Sequence, residues 1–105
     1  MLKKKSGELD FSQTAAVLSL KVRAYSPWPG AFTRWDGKRL LIHQASHLAV
    51  TSPGPGVFIK HEGHPAIGTS EGILVLDRLQ LAGKRPISGV EFLNGTPSWG
   101  NETIE

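Results

Sequence analysis

Apolar positions along this chain change period from helical to extended and back again. Phe11, Ala15, Leu18, Val22 and Tyr25 are spaced four, three, four and three residues apart. That spacing lines them on one helical stripe and predicts a helix from about 14 to 25. Ser12 or Thr14 can cap its first amides, but with Ala15 and Val17 three residues further on, neither makes a capping box. Pro27 disfavours helical geometry at Ser26 and stops the helix there.

From Ala31 the period becomes that of strands. Ala31 to Trp35 and Lys38 to Ser46 flank Asp36-Gly37, a dipeptide that tolerates positive φ and so predicts a two-residue hairpin. The loop from Thr51 to Gly56 leads to a third strand, Val57 to Lys60, and His61-Glu62-Gly63-His64-Pro65 turns the chain into a fourth, Ala66 to Thr69. Ser70-Glu71-Gly72 turns it again into Ile73 to Leu81. Five short strands joined by tight turns favour a barrel or sandwich. After the loop Gly83 to Pro86, Ser88 and Glu91 have capping-box spacing, Gly95 supplies a stop, and a short helix is expected around Ser88 to Asn94. The fold expected is mainly β: a five-stranded barrel with an N-terminal helix and a short C-terminal helix. Residues 1–10, with Lys3, Lys4 and Lys5 in a row, read as a basic linker. Residues 11–97 read as the domain and residues 98–105 as a polar tail.

Composition narrows the chemistry. A chain of 105 residues, 39% hydrophobic and 20% charged, suits one globular domain. It has no cysteine, which removes disulfides and thiolate metal sites and fits a reducing, cytoplasmic setting. No apolar run approaches the ~20 residues of a membrane span, and the basic start is followed by Ser-Gly-Glu-Leu-Asp rather than an apolar stretch, unlike a signal peptide. On a strand, His43 and His47 would lie ~13 Å apart, too far to share an ion. His61 and His64 flank a turn with only Glu62 beside them, short of a closed metal site, and solvated imidazoles are expected. Gly54-Pro55-Gly56 is a turn rather than a phosphate cradle, since proline removes an amide.

The net charge of +3 comes in groups: Lys3, Lys4 and Lys5 in the linker, Arg34, Lys38 and Arg39 around the first hairpin, and Lys84 and Arg85 in the late loop. Each group can neutralise phosphates without reading sequence, and each is equally readable as solvated edge residues. Among the aromatics, Trp28, Phe32, Phe58 and Phe92 read as core, while Trp35 beside the hairpin turn stays open as a stacking platform.

The run Arg23-Ala24-Tyr25-Ser26-Pro27-Trp28-Pro29-Gly30-Ala31-Phe32 resembles the "RA-x-x-PWPGA-[FW]" segment that opens the C-terminal domain of methionyl-tRNA formyltransferases. Leu9-Asp10-Phe11-Ser12 is similar to that family's "IDWS". Leu79 to Ser88 and Glu91 to Gly95 are similar to its closing "LQPxGKKPMS" and "EFLNG". The resemblance implies an OB-like domain that docks tRNA through Lys3, Lys4, Lys5, Arg34, Lys38, Arg39, Lys84 and Arg85. It implies a partner domain, N-terminal in the same protein, that carries the catalytic Asn, His and Asp. That domain would take the formyl group from 10-formyltetrahydrofolate to the amine of methionyl-initiator tRNA. None of its pattern is present here, so no catalytic residue, metal or cofactor is expected in this chain. Two alternatives stand beside this reading: a structural C-terminal domain of a related sugar-nucleotide or formyl-folate-handling formyltransferase, and an independent OB-type nucleic-acid-binding protein. The PWPGAF-like corner occurs in the relatives too, whereas the closing blocks lean towards the tRNA enzyme.

Overall fold

The computed structural model describes residues 8–25, 30–35, 37–96 and 99–100. Lys3, Lys4 and Lys5, the Pro27-Trp28-Pro29 corner, Asp36 and the chain after Gly100 lie outside the described residues. The first helix, α1, runs Ala15–Tyr25. Thr14 is its cap: the Thr14 hydroxyl accepts from the Val17 amide at 3.2 Å and the Thr14 carbonyl accepts from the Leu18 amide at 3.0 Å. Ser12 is used differently, since its amide (3.0 Å) and hydroxyl (2.7 Å) both donate to the Asp10 carboxylate. Those two bonds, the side-chain one foremost, hold the Asp10 carboxyl below its ordinary value. Replacing Thr14 by alanine orphans one amide and should lower stability in urea denaturation by about 1 kcal/mol.

The expected stripe packs as the spacing dictates: Phe11, Ala15, Leu18 and Val22 are all buried. Burial starts before residue 11, however. Leu9 is buried, Glu8 forms a parallel bridge with Phe32, and the Leu9 amide donates to the Phe32 carbonyl at 2.9 Å.

Six strands form one antiparallel sheet: β1 Ala31–Trp35, β2 Lys38–Leu48, β3 Phe58–His61, β4 His64–Gly68, β5 Ile73–Leu81 and the two-residue β6 Ile87–Ser88. Their order is β1-β2-β5-β4-β3, with β6 also paired to β5. Trp35 pairs with Lys38, so the turn at Asp36-Gly37 has two residues, with Gly37 at φ 73°. The second hairpin is tighter than expected. His61 pairs with His64, and Glu62 (φ 49°) and Gly63 (φ 80°) make the whole turn. Pro65 thereby falls inside β4, opposite Lys60. A proline is tolerated there because the β4–β5 ladder begins only at Ala66. β2 runs two residues past the expected Ser46, with register shifts around Gln44 that let the long strand bend.

The second helix, α2, spans Gly89–Asn94, and Ser88 caps it by accepting from the Glu91 amide at 3.1 Å. Gly95 ends it at φ −97°, so that glycine is not required by a left-handed backbone.

The core closes around an aromatic cluster. Trp99 is fully buried, stacks on Phe58 of β3 with centroids 4.5 Å apart, and lies 5.7 Å from Trp35 of β1 and 5.6 Å from Phe92 of α2. β1 and β3 are the two ends of the strand path, so the sheet curls until one indole touches both. The expected tail from residue 98 is corrected here. Trp99 belongs to the core, and its Nε1 donates to the Ile59 carbonyl at 2.8 Å.

Candidate nucleic-acid interface

Strand alternation sorts the hairpin cations onto two faces. Ala31, Thr33 and Trp35 are buried on the core side of β1, and Lys38 stands opposite Trp35 on that side. Arg34 and Arg39 stand opposite one another on the outer side. Both outer arginines are engaged. Arg34 Nε lies 3.7 Å from the Glu8 carboxylate, and the Arg39 guanidinium sits 4.3 Å over the ring of Phe32. Phe32 is thereby covered and buried on a face that would otherwise be wet.

The late loop is stitched to the same end of the sheet. The Ala82 amide donates to the Arg39 carbonyl at 2.9 Å, the Lys84 amide to the Leu81 carbonyl at 2.9 Å, and the Gln80 side-chain amide to the Lys84 carbonyl at 2.8 Å. These bonds hold Lys84 and Arg85, both exposed, at the rim of a cavity of about 530 Å³. Its walls include Trp35, Leu81, Phe92 and the exposed Glu91. The structure therefore gathers Lys84 and Arg85 beside Trp35, with Lys38 on the same face of the hairpin. Arg34 and Arg39 go to the opposite face.

Trp35 is 7% exposed, with the edge of its contacts set by Phe92 (5.8 Å, T-shaped) and Trp99. It is a cavity wall rather than an open stacking platform. Its Nε1 is buried and has no hydrogen-bond partner among the described residues. Sequence reasoning missed Glu91 and Phe92 as part of this site. The Ser88/Glu91 capping spacing was the available signal, because it fixes Glu91 in the first turn of α2.

The remaining polar groups are separate. His43 Nε2 meets Gln80 Oε1 at 2.9 Å, His47 Nδ1 meets the Ser19 hydroxyl at 3.1 Å, and His64 Nδ1 meets the Glu62 carbonyl at 3.2 Å. Among the described residues no group of three or more His, Cys, Asp or Glu side chains could hold a metal ion, and no helix is long and apolar enough to cross a membrane. Arg23 lines a recess of about 250 Å³ against His43 and Gln44.

The domain is a curled antiparallel sheet with an N-terminal and a short C-terminal helix, and Lys84 and Arg85 stand at the rim of an aromatic-walled cavity. Residues 1–97 match the family described as formyl transferase, C-terminal domain, and the chain belongs to that family. It is 40% identical over 98 residues to a methionyl-tRNA formyltransferase of Chloroflexus aurantiacus, covering 90% of this chain and 32% of that protein. It is likewise 40% identical over 95 residues to that of Treponema pallidum, covering 87% and 30%. The chain thus spans about a third of the length of these relatives. Among solved structures, HypX from Aquifex aeolicus shares the fold. One variant superposes with a TM-score of 0.69 at 21% identity over 98% of this chain and 19% of HypX. The tetrahydrofolic acid complex gives 0.65 at 23% identity over 82% and 16%.

Proposed function

We propose that this chain is the non-catalytic, tRNA-docking C-terminal domain of a methionyl-tRNA formyltransferase acting in the cytoplasm at translation initiation. The observation that carries the reading is the 40% identity to methionyl-tRNA formyltransferases across nine-tenths of the chain. The likeness to HypX, at 21–23% identity, is one of fold and gives no weight to a formyl-folate role for this domain. In the proposed division of labour, an N-terminal catalytic domain binds 10-formyltetrahydrofolate and moves the formyl group to the methionyl amine. This domain holds the initiator tRNA by its phosphates.

Lys84 and Arg85 are the leading contacts, because they are exposed, held by a hydrogen-bonded loop, and without an acidic partner among the described residues. Lys38 joins them on the same face, and Lys3, Lys4 and Lys5 would extend the path along the leading segment. Arg34 and Arg39 contribute less, since each must first leave Glu8 or Phe32. The physical term is release of counterions from the phosphates, which makes affinity fall with salt.

Fluorescence anisotropy with initiator tRNA across a salt series tests this. Replacing Lys84 and Arg85 together by alanine should weaken binding on the order of tenfold at low salt and flatten the slope of log K against log salt by about 2. Unchanged affinity and slope would overturn the assignment of these residues.

A further inference from the structure

We infer that His43 is a positioning residue for the phosphate-contacting loop: its Nε2–H, acting through the Gln80 side chain, fixes the peptide between Lys84 and Arg85. The inference rests on the RNA-docking reading above and adds to it how the two leading cations are held ready before RNA arrives.

The placement of His43 comes from an irregularity in the sheet. The register of β2 on β5 runs from Ile42↔Leu79 directly to Gln44↔Arg78, which leaves His43 as an inserted residue without a partner. A bulge of this kind bends the strand and re-aims one side chain. Here the half-buried imidazole reaches Gln80, which lies on the face opposite the buried Leu79. His43 Nε2 meets Gln80 Oε1 at 2.9 Å, and Gln80 Nε2 donates to the Lys84 carbonyl at 2.8 Å. The Lys84 amide donates in turn to the Leu81 carbonyl at 2.9 Å. Gly83 turns the loop at φ 84°, and Pro86 biases Arg85 to extended backbone. The side chains of Lys84 and Arg85 stay exposed while their shared peptide is held from behind.

The direction of these bonds fixes the state of the ring. A backbone carbonyl only accepts, so the Gln80 amide must turn its NH2 to Lys84 and its Oε1 to His43. That oxygen also only accepts, so His43 Nε2 must carry a proton, in the neutral ring as the Nε2–H tautomer. The other tautomer would set two lone pairs against each other across 2.9 Å, and turning the Gln80 amide over would move the same conflict to the Lys84 carbonyl. Every donor in the line therefore points from the sheet to the loop. The benefit for binding is preorganisation: a loop ordered in advance loses less freedom when its cations meet phosphates.

The test starts on the ¹⁵N-labelled full chain without RNA. Long-range ¹⁵N–¹H correlation, at a pH where the ring is neutral and with His43 assigned by its loss in His43→Gln, should show the Nε2–H tautomer. An Nδ1–H tautomer would overturn the relay. His43→Leu removes the donor, and the heteronuclear NOE of the Lys84 and Arg85 amides should fall. Initiator tRNA should then bind about fivefold more weakly, the size of one lost neutral hydrogen bond. The slope of log K against log salt should stay as it was, because every cation remains, whereas a lost phosphate contact would flatten it. His43→Gln returns an amide donor close to the place of Nε2 and should restore both loop order and affinity. Leucine and glutamine variants that bind tRNA alike would overturn the positioning role. The two readings fail separately. Binding that needs Lys84 and Arg85 but ignores His43→Leu leaves phosphate docking standing and sinks the relay. The Nε2–H tautomer and a loosened loop in a chain that ignores tRNA would keep the relay and remove the docking role.

Discussion

Replacing Trp99 by alanine is expected to remove about 3–5 kcal/mol of stability, read as the shift of a urea or thermal unfolding curve. The indole is fully buried, stacked on Phe58, and in edge contact with Phe92. The cavity it would leave borders three elements at once, so no single one can relax to fill it. The loss is a large share of the ~5–15 kcal/mol that holds a domain of this size together. It should also have a direction. Trp99 is what joins the β1 end of the strand path to the β3 end, so amide exchange should accelerate most in Phe58–His61. Trp99→Phe separates the terms, because it keeps a ring against Phe58 but leaves the Ile59 carbonyl without its donor, for about 1–2 kcal/mol. A loss below about 1 kcal/mol in Trp99→Ala would mean that the indole is not the closure of the sheet.

The same residue shows where reading the sequence reaches its limit. Helix α1, the first hairpin, β5 and α2 were legible because each is specified locally. A stripe at helical spacing, Asp-Gly between two alternating runs, and Ser88 with Glu91 are all short-range patterns. Trp99 follows Thr96-Pro97-Ser98 in polar company, and nothing within ten residues signals that its partners stand on β1, β3 and α2. The two-residue β6 is too short to have a period, and Pro65 argued against a strand that the neighbouring ladder leaves room for. In the candidate site, the charges were visible as residues but their grouping was not. One residue of difference in strand position sends Lys38 to the face of Trp35 and Arg39 to the face of Phe32. Whether a cation is available or engaged depends on that parity and on Glu8 arriving beside β1. The four matched runs, Leu9 to Ser12, Arg23 to Phe32, Leu79 to Ser88 and Glu91 to Gly95, carried the resemblance because each is contiguous in sequence and needs no tertiary contact to be read.

A one-methyl change should be nearly as disruptive as the loss of an indole. Gly89 opens α2 where the helix crosses the sheet, and a β-carbon there would lie 2.1 Å from the Leu76 carbonyl oxygen and 3.0 Å from Pro65 Cδ. Neither obstacle can swing aside, since one is backbone of β5 and the other is a proline ring in β4. Gly89→Ala is therefore expected to cost about 2–3 kcal/mol by forcing α2 off the sheet. Intrinsic preference points the other way, because alanine is the better helix former by about 1 kcal/mol in a helix interior. The sign of the measured change therefore decides between close approach and propensity. Gly95→Ala is the matched control at the other end of α2. Its nearest obstacle is 3.9 Å away and its φ is −97°, so it should stay within about 0.5 kcal/mol of the parent. Lifting α2 would also carry Glu91 and Phe92 away from Trp35, Lys84 and Arg85. A destabilised but still folded Gly89→Ala chain should then keep much of its salt-dependent attraction to tRNA, which depends on a loop anchored to β2 and β5 rather than on α2.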